Sequence, residues 1–299
     1  MYCFADKAML PALKEIWKEC FDDQEAYIDF FFSNQIGSNS ILKSQRIYME
    51  SNQILENQLV YMKDDRPVSM LTMIPGMLVM PQGNQKVYYI YGVATKKAYR
   101  RNGFAASLLK HAYAMVQKEN AALVLVPASE SLYEYYRKLG FETAFYQNRI
   151  TLVFSSEIAE INEFVWNIRE INADTYGAMR KQQIFLEGAV IWDENELLYA
   201  HKENRFFGGK SYCIEFHNKE YLLMCYAFQN CLYVRETTLP DELVEMVIYS
   251  IAEKAHCLMA SVRRPVHCGS LGKTTANGMI VPGSLSQLFH NGYLGLTLD

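Results

Sequence analysis

Arg100, Arg101, Asn102 and Gly103 stand between two apolar stretches of different period, and the chemistry of the chain is easiest to read from that position. Val87 to Val93 is a run of aromatic and β-branched residues and predicts a strand. From Phe104 onward, apolar residues recur at Leu108, Ala112 and Met115, with Ala105, Leu109 and Val116 beside them, which is helical spacing. The basic turn therefore falls at a helix start, where the first backbone N–H groups have no partner and the dipole is positive. Such a turn holds an anion, above all a phosphate. The small Ala105 and Ala106 leave space for a ligand at the helix end. The plainer alternative is a strand-to-helix connection in which Gly103 only eases the backbone. Two adjacent arginines favour the anion reading. The spacing Arg100-x-x-Gly103-x-Ala105 is neither G-x-G-x-x-G nor a Walker loop, so it does not point to a dinucleotide or a nucleoside triphosphate.

Two further stretches imitate ligand sites. Gly269-Ser-Leu-Gly272-Lys273-Thr274 resembles a Walker loop, but that loop is G-x-x-x-x-G-K-S/T, and His267 stands where its first glycine belongs. The pairs His256-Cys257 and His267-Cys268 offer soft ligands, yet neighbouring side chains on a strand point to opposite faces, so no metal site is expected. Acid–base chemistry is sparse on the strand itself: Tyr88-Tyr89-Ile90-Tyr91-Gly92 contains no carboxylate and no histidine. Its tyrosines fit either a half-buried strand or an aromatic cleft for a cationic amine.

The elements around the turn organise into two units. Ahead of it lie helical runs from Asp6, a plausible cap, and from Glu25 to Gln35. Then come Gln58–Lys63, the turn Asp64-Asp65-Arg66-Pro67, Val68–Met80, a second turn at Pro81–Asn84, and the strand to Val93, an antiparallel meander. After the helix, Ala121–Val126 is expected to run parallel to the earlier strand, because a crossover helix joins them. A short helix follows, with Ser131 and Glu134 as a capping box and Gly140 as its stop, and Phe141–Phe154 closes the unit. Composition shifts near Ser155–Glu157, and the order of elements then repeats. Glu163–Ile171 is expected as a strand, Ala173–Ile184 and Glu194–Asn204 as helices, and Lys210–His217, Lys219–Gln229 and Cys231–Thr237 as strands. A helix from Pro240 through Ala255 and a strand at Leu258–Val262 complete the series. Where the first unit has its basic turn, the second has Thr238-Leu239-Pro240-Asp241-Glu242, with no glycine and two acids.

With 299 residues, half of them apolar, the chain has material for two domains. Its net charge of −4 argues against a nucleic-acid binder. Seven scattered cysteines without a C-x-x-C pair resemble reduced thiols. Asp6 and Lys7 interrupt the N-terminus before any export-like run, and no stretch approaches the about 18 apolar residues of a membrane span. A cytoplasmic location is expected, with no membrane partner.

On these residues the sequence resembles the GCN5-related N-acetyltransferase (GNAT) superfamily. The turn matches its Arg/Gln-x-x-Gly-x-Gly/Ala loop, and Tyr136-Arg-Lys-Leu-Gly140-Phe141 matches its Tyr-x-x-x-Gly-Phe signature. Ile74-Pro-Gly-Met-Leu-Val-Met-Pro and Tyr91-Gly-Val-Ala-Thr are similar to the Eis-type acetyltransferases, in which a degenerate unit follows an active one. The fold class implied is α/β (α+β): two GNAT-like units, each a mixed, mainly antiparallel sheet flanked by helices. Residues 1–155 would be the catalytic domain and 156–299 the degenerate one, with no third, sterol-carrier-like domain. The resemblance implies acetyl-CoA as cosubstrate, with Val93, Ala94 and Thr95 along the pantetheine arm. Its diphosphate would lie on the N–H groups of Arg101, Asn102, Gly103, Phe104, Ala105 and Ala106, in the loop that Arg100 opens, and the next strand, with Ser129 and Glu130 at its far end, would splay away to admit the cofactor. Tyr136 would supply a proton to the departing thiolate, since a phenol and a thiol are close in acid strength; a core tyrosine beside Leu132 and Leu139 is the alternative. The base stays open among the terminal carboxylate of Asp299, Glu130, Asp64, Asp65 and water. The acceptor would be a primary amine, aminoglycoside- or polyamine-like, and a homo-oligomer is expected. A mycothiol-synthase-type acyltransferase and a non-catalytic CoA-binding regulator are the rival readings.

Overall fold

A computed structural model describes residues 1–34, 54–154 and 166–297. The chain divides into two compact units: Met1–Met77, Asn84–Glu142 and Met279–Gln287 form the first, and Leu78–Gly83, Thr143–Gly278 and Leu288–Asp299 the second.

The first unit contains β1 (Tyr2–Asp6), α1 (Leu10–Cys20), α2 (Glu25–Asn34), β2 (Ile54–Lys63), β3 (Arg66–Leu78), β4 (Gln85–Thr95), α3 (Phe104–Gln117), β5 (Ala122–Leu125) and α4 (Glu130–Arg137). The meander forms as expected. Asp64 and Asp65 take left-handed backbone, φ 49° and 55°, and turn β2 back on β3 in antiparallel register. β5 runs parallel to β4 after the crossover through α3. On the far side of β5, Met279, Ile280 and Val281 pair antiparallel with Leu125, Val124 and Leu123. One face of this sheet is covered by α3 and α4: Leu108, Leu109, Ala112, Val116, Tyr133 and Tyr136 bury against Leu59, Leu71, Tyr88, Ile90 and Met279. Residues of the other phase, such as Tyr91, meet Trp17 of α1 and Phe31 of α2, with ring centroids 5.8 and 5.5 Å away.

Several local expectations change. β1 is a strand where the reading has only a cap, pairing with Leu59–Tyr61 of β2. Asp6 accepts from the Met9 N–H and so caps a single 3₁₀ turn ahead of α1. The capping box at Ser131 and Glu134 does not form. Ser129 is the N-cap of α4, without a side-chain cap, and its hydroxyl meets that of Ser131. Ser131 is already inside the helix, two positions past the N-cap and too late to cap it. Gly140 does end the segment, at φ 90°, where the Phe141 N–H returns to the Tyr136 carbonyl.

The second unit contains β6 (Glu142–Val153), β7 (Asn167–Glu170), α5 (Ala173–Gln183), β8 (Val190–Trp192), α6 (Glu194–Phe206), β9 (Lys210–Phe216), β10 (Lys219–Phe228), β11 (Cys231–Thr237), α7 (Asp241–Lys254), β12 (Met259–Arg264) and most of β13 (Lys273–Val281). β11, α7 and β12 repeat the strand–helix–parallel strand order of the first unit. β6 pairs antiparallel with β12 and so belongs here, whereas the sequence reading attaches Phe141–Phe154 to the first unit. The expected strand Glu163–Ile171 is shorter, Asn167–Glu170, and residues 163–165 lie outside the described residues, as does the composition shift at Ser155–Glu157. Val244, Val247, Ile248 and Ile251 of α7 bury against Leu223, Leu232, Val234 and Ala260. All seven cysteines are free thiols. Among the described residues no helix is long and apolar enough to cross a membrane.

Candidate active site

The parallel ladder between β4 and β5 runs from Val87–Ala122 to Ile90–Leu125 and stops there, while β4 continues to Thr95. Gly92 lies where the strands part, and its φ of +61° is a backbone state that side chains disfavour. A Cβ at Gly92 would also lie 3.2 Å from the Trp17 ring. A glycine inside a strand pattern is the sequence signal for such a kink. Beyond it, the Ala94 carbonyl accepts from Ser69 Oγ at 2.9 Å and the Lys96 N–H donates to Val68. These residues face β3. By strand alternation, Val93 and the Thr95 N–H turn to the opposite edge, the one β5 has left. Of the three residues expected along a pantetheine arm, Val93 and the Thr95 N–H thus turn there and Ala94 does not, while the Thr95 carbonyl is taken by Arg100 Nε at 3.2 Å and Cys20 Sγ at 3.3 Å. Ser69, which the sequence reading passes over, fixes this phase by bonding Thr95 Oγ1 as well, at 2.9 Å.

After Thr95 the chain makes one 3₁₀ turn, Lys97–Tyr99, and enters the basic loop. Arg101 is left-handed at φ 65°, and Gly103, the N-cap of α3, at φ 77°. No side chain caps α3. The N–H groups of Phe104, Ala105 and Ala106 therefore point out of the helix end without a side-chain acceptor, and the first intrahelical bond runs from Ser107 to the Gly103 carbonyl. Asn102 braces the loop from inside, donating to the Tyr99 and Arg100 carbonyls, both at 3.1 Å. Arg100 does not point at the cradle: its guanidinium donates to the Thr95 and Glu19 carbonyls and contacts Cys20 Sγ, all at 3.2 Å. Arg100 ties the loop to the end of α1. Arg101 is exposed. Phosphate oxygens fit this end of α3, because its orphan donors have no internal acceptor.

Tyr136 is 7% exposed and belongs to the same apolar cluster as Ile90 and Leu125, the last paired residues of β4 and β5, with Val93 packed against it. Its ring meets Tyr135 at 5.2 Å and Phe141 at 5.7 Å. The hydroxyl has no hydrogen-bond partner among the described residues. Burial, with a smaller contribution from Tyr135, pushes the phenol up to about 12. The parity of phenol and thiol assumed from sequence does not survive this environment. At neutral pH the group is a protonated donor, weaker as an acid than a thiol. Ser129 and Glu130 stand exposed at the start of α4. Asp64 and Asp65 are exposed hairpin-turn residues. Asp299 lies outside the described residues. Of the strand tyrosines, Tyr88 and Tyr89 are buried, Tyr88 donating to Glu119 at 3.3 Å, and only Tyr91 is half-buried.

The equivalent corner of the second unit is closed. Pro240 precedes α7, and Asp241 in its first turn accepts from the Ser270 and Leu271 N–H groups at 2.9 and 3.0 Å and from Arg264. Arg264, more than those two amides, holds the Asp241 carboxyl well below the usual carboxylate range. The Walker-like loop thus spends two of its amides on Asp241. On β11, Glu236 is wholly buried, with bonds from Arg180, Tyr176 and Tyr293 to its two oxygens. His267 and Cys268 lie on a 3₁₀ turn instead of a strand, so their side chains do meet, Nε2 to Sγ at 3.6 Å. The described residues that group like metal ligands are others, Cys213, Glu215 and Glu220. Arg169 lies 3.7 and 3.5 Å from the two carboxylates and occupies the cation's place, while burial and Glu220 push the Cys213 thiol up to about 11.

Residues 4–144 match the family model of an acetyltransferase (GNAT) domain. No match was found among curated protein sequences. Solved structures share the fold at low identity. A GCN5-related N-acetyltransferase from Anabaena variabilis is 17% identical with a TM-score of 0.67, over 94% of this chain and 72% of that one. Eis1 from Mycobacterium abscessus is 10% identical with a TM-score of 0.62, over 94% and 73%. Saccharomyces cerevisiae N-myristoyltransferase, solved with bound myristoyl-CoA, is 12% identical with a TM-score of 0.55, over 94% and 78%.

Proposed function

From the match of residues 4–144 to the acetyltransferase (GNAT) family model, we propose that the chain transfers an acetyl group from acetyl-CoA to a primary amine by direct attack on the thioester. The observation that carries this reading is the pairing of an open strand edge with an uncapped helix start: β4 outruns β5 by the stretch to Thr95, and α3 begins just beyond it. An extended pantetheine arm can pair with the Val93 backbone and the Thr95 N–H. Its diphosphate then reaches the N–H groups of Phe104 to Ala106, beside Arg101, Asn102 and Gly103, with Arg100 acting from behind as a brace. Ser129 and Glu130 border the β5 side.

In the reaction, the amine lone pair attacks the carbonyl carbon, the carbon–sulfur bond breaks, and the sulfur leaves as a thiolate. Tyr136 donates its O–H to that sulfur; with its phenol at about 12, it stabilises the thiolate chiefly as a hydrogen-bond donor. The proton lost by the amine goes to water or to a carboxylate not carried by β4. In this proposal catalysis belongs to 1–155, and 156–299 is a degenerate copy whose phosphate corner is sealed by Asp241. The chain's acidity favours a cationic acceptor of the aminoglycoside or polyamine kind, and cytoplasmic acetyl-CoA supplies the donor.

Thermal shift with acetyl-CoA, followed by thiol release over an amine panel, tests the reading. Stabilisation together with amine-dependent thiol release is expected. Stabilisation by CoA with no release for any amine would make this a CoA-binding regulator, and the absence of both rejects the proposal.

A further inference from the structure

The charge expected at the start of α3 was to come from Arg100 and Arg101, but Arg100 is committed to the Thr95 and Glu19 carbonyls. Another cation stands there. Lys63, the last residue of β2, holds its Nζ 5.3 Å from the centroid of the Tyr99 ring and 5.9 Å from that of Phe104. Those two aromatics flank the 100–103 loop on either side, their rings 6.3 Å apart, and Tyr61 supports Phe104 from below at 4.7 Å. Rings hold an ammonium without neutralising it. Neighbouring lysines differ: Lys96 pairs with Glu15 at 3.2 Å and Lys86 with Glu119 at 2.6 Å. Lys63 and Arg101 have no carboxylate partner among the described residues. The hairpin fixes where Lys63 falls, since the left-handed Asp64 and Asp65 set it opposite Arg66. Those two acids make the hairpin tip neutral in sum, so attraction from Lys63 acts at contact range and not as a long-range field.

We propose that Lys63 is a phosphate-recognising residue of the donor site, a cation brought from the β2–β3 hairpin to the start of α3. There it meets phosphoryl oxygens of a CoA-type donor together with the Phe104–Ala106 N–H groups. The inference rests on the donor reading above. Its ligand chemistry is a phosphate ester or diphosphate, and the donor offers both.

Calorimetric titration of the full chain with CoA, 3′-dephospho-CoA and pantetheine separates the possibilities. Lys63→Met keeps the apolar stem on the rings and removes the charge, whereas Lys63→Arg keeps the charge. Lys63→Met is expected to weaken CoA about tenfold, the scale of one charge-assisted contact, and to leave pantetheine unchanged, with Lys63→Arg restoring most of the affinity. A loss that persists with dephospho-CoA assigns the contact to the diphosphate, and one that disappears assigns it to the 3′-phosphate; either accords with the proposal. Unchanged CoA affinity in Lys63→Met, or an equal loss for pantetheine, overturns it while leaving the donor reading intact. A wild-type chain that binds no CoA overturns the donor reading and this inference with it.

Discussion

Tyr136 buries its ring, and its hydroxyl has no hydrogen-bond partner among the described residues. If it donates to sulfur, Tyr136→Phe removes one hydrogen bond to a developing charge. That lowers the rate of thiol release by about 10–100-fold, with donor affinity nearly unchanged; an unaltered rate returns the residue to the core. The pH dependence has a definite sign. The folded phenol, at about 12, lies above its unfolded value near 10, so the stability it contributes is complete below pH 10 and lost as pH rises from there towards 12. Melting curves of the Phe variant should lack that share of the alkaline loss. The Tyr-x-x-x-Gly-Phe spacing made the residue legible in the sequence. Its acidity was not, because the desolvation comes from residues spread along the chain, among them Ile90, Leu125, Phe141 and Met279. Arg100 failed in a similar way: spacing put it in the loop, but the direction of its guanidinium depends on Glu19, at the end of a different helix.

Two helix starts follow β4 and β11, and they differ in what fills them. α3 leaves its donors open behind Gly103, whereas Asp241 in α7 draws the 270–271 amides and Arg264 across its own start. Asp241→Asn weakens that closure without opening a phosphate site, because Glu242 and the 269–271 loop remain. The Asp241 carboxyl is held below its unfolded value near 3.9, so it adds stability above that value and loses it as pH falls through and below about 4. The Asn variant should melt a few degrees lower at pH 7 and show a shallower decline on acidification, as differential scanning calorimetry can check. The strand–helix–strand order of both units was visible from periodicity and turn residues. β1 and β8 were not, since five and three residues hold too little alternation to be read alone.

The two-unit organisation was foreseeable from the repeated element order, yet the allocation of segments was not. Nothing local in Met279–Val281 records that its partners are Leu123–Leu125, because pairing between remote segments leaves no periodic mark on either. A chain cut after Phe154 therefore lacks one border of β5 and two members of the first core, Met279 and Val281. It should be poorly soluble or lack a cooperative melt, even though it contains the whole 4–144 domain match; a soluble fragment with native-like acetyl-CoA stabilisation would refute this.

That remote pairing also sets an order of events during translation. Leu123–Leu125 leave the ribosome long before Met279 exists, so the nascent first unit carries an apolar, half-paired strand through most of its synthesis. On the proposed reading, donor binding waits for the distal segment that completes this core.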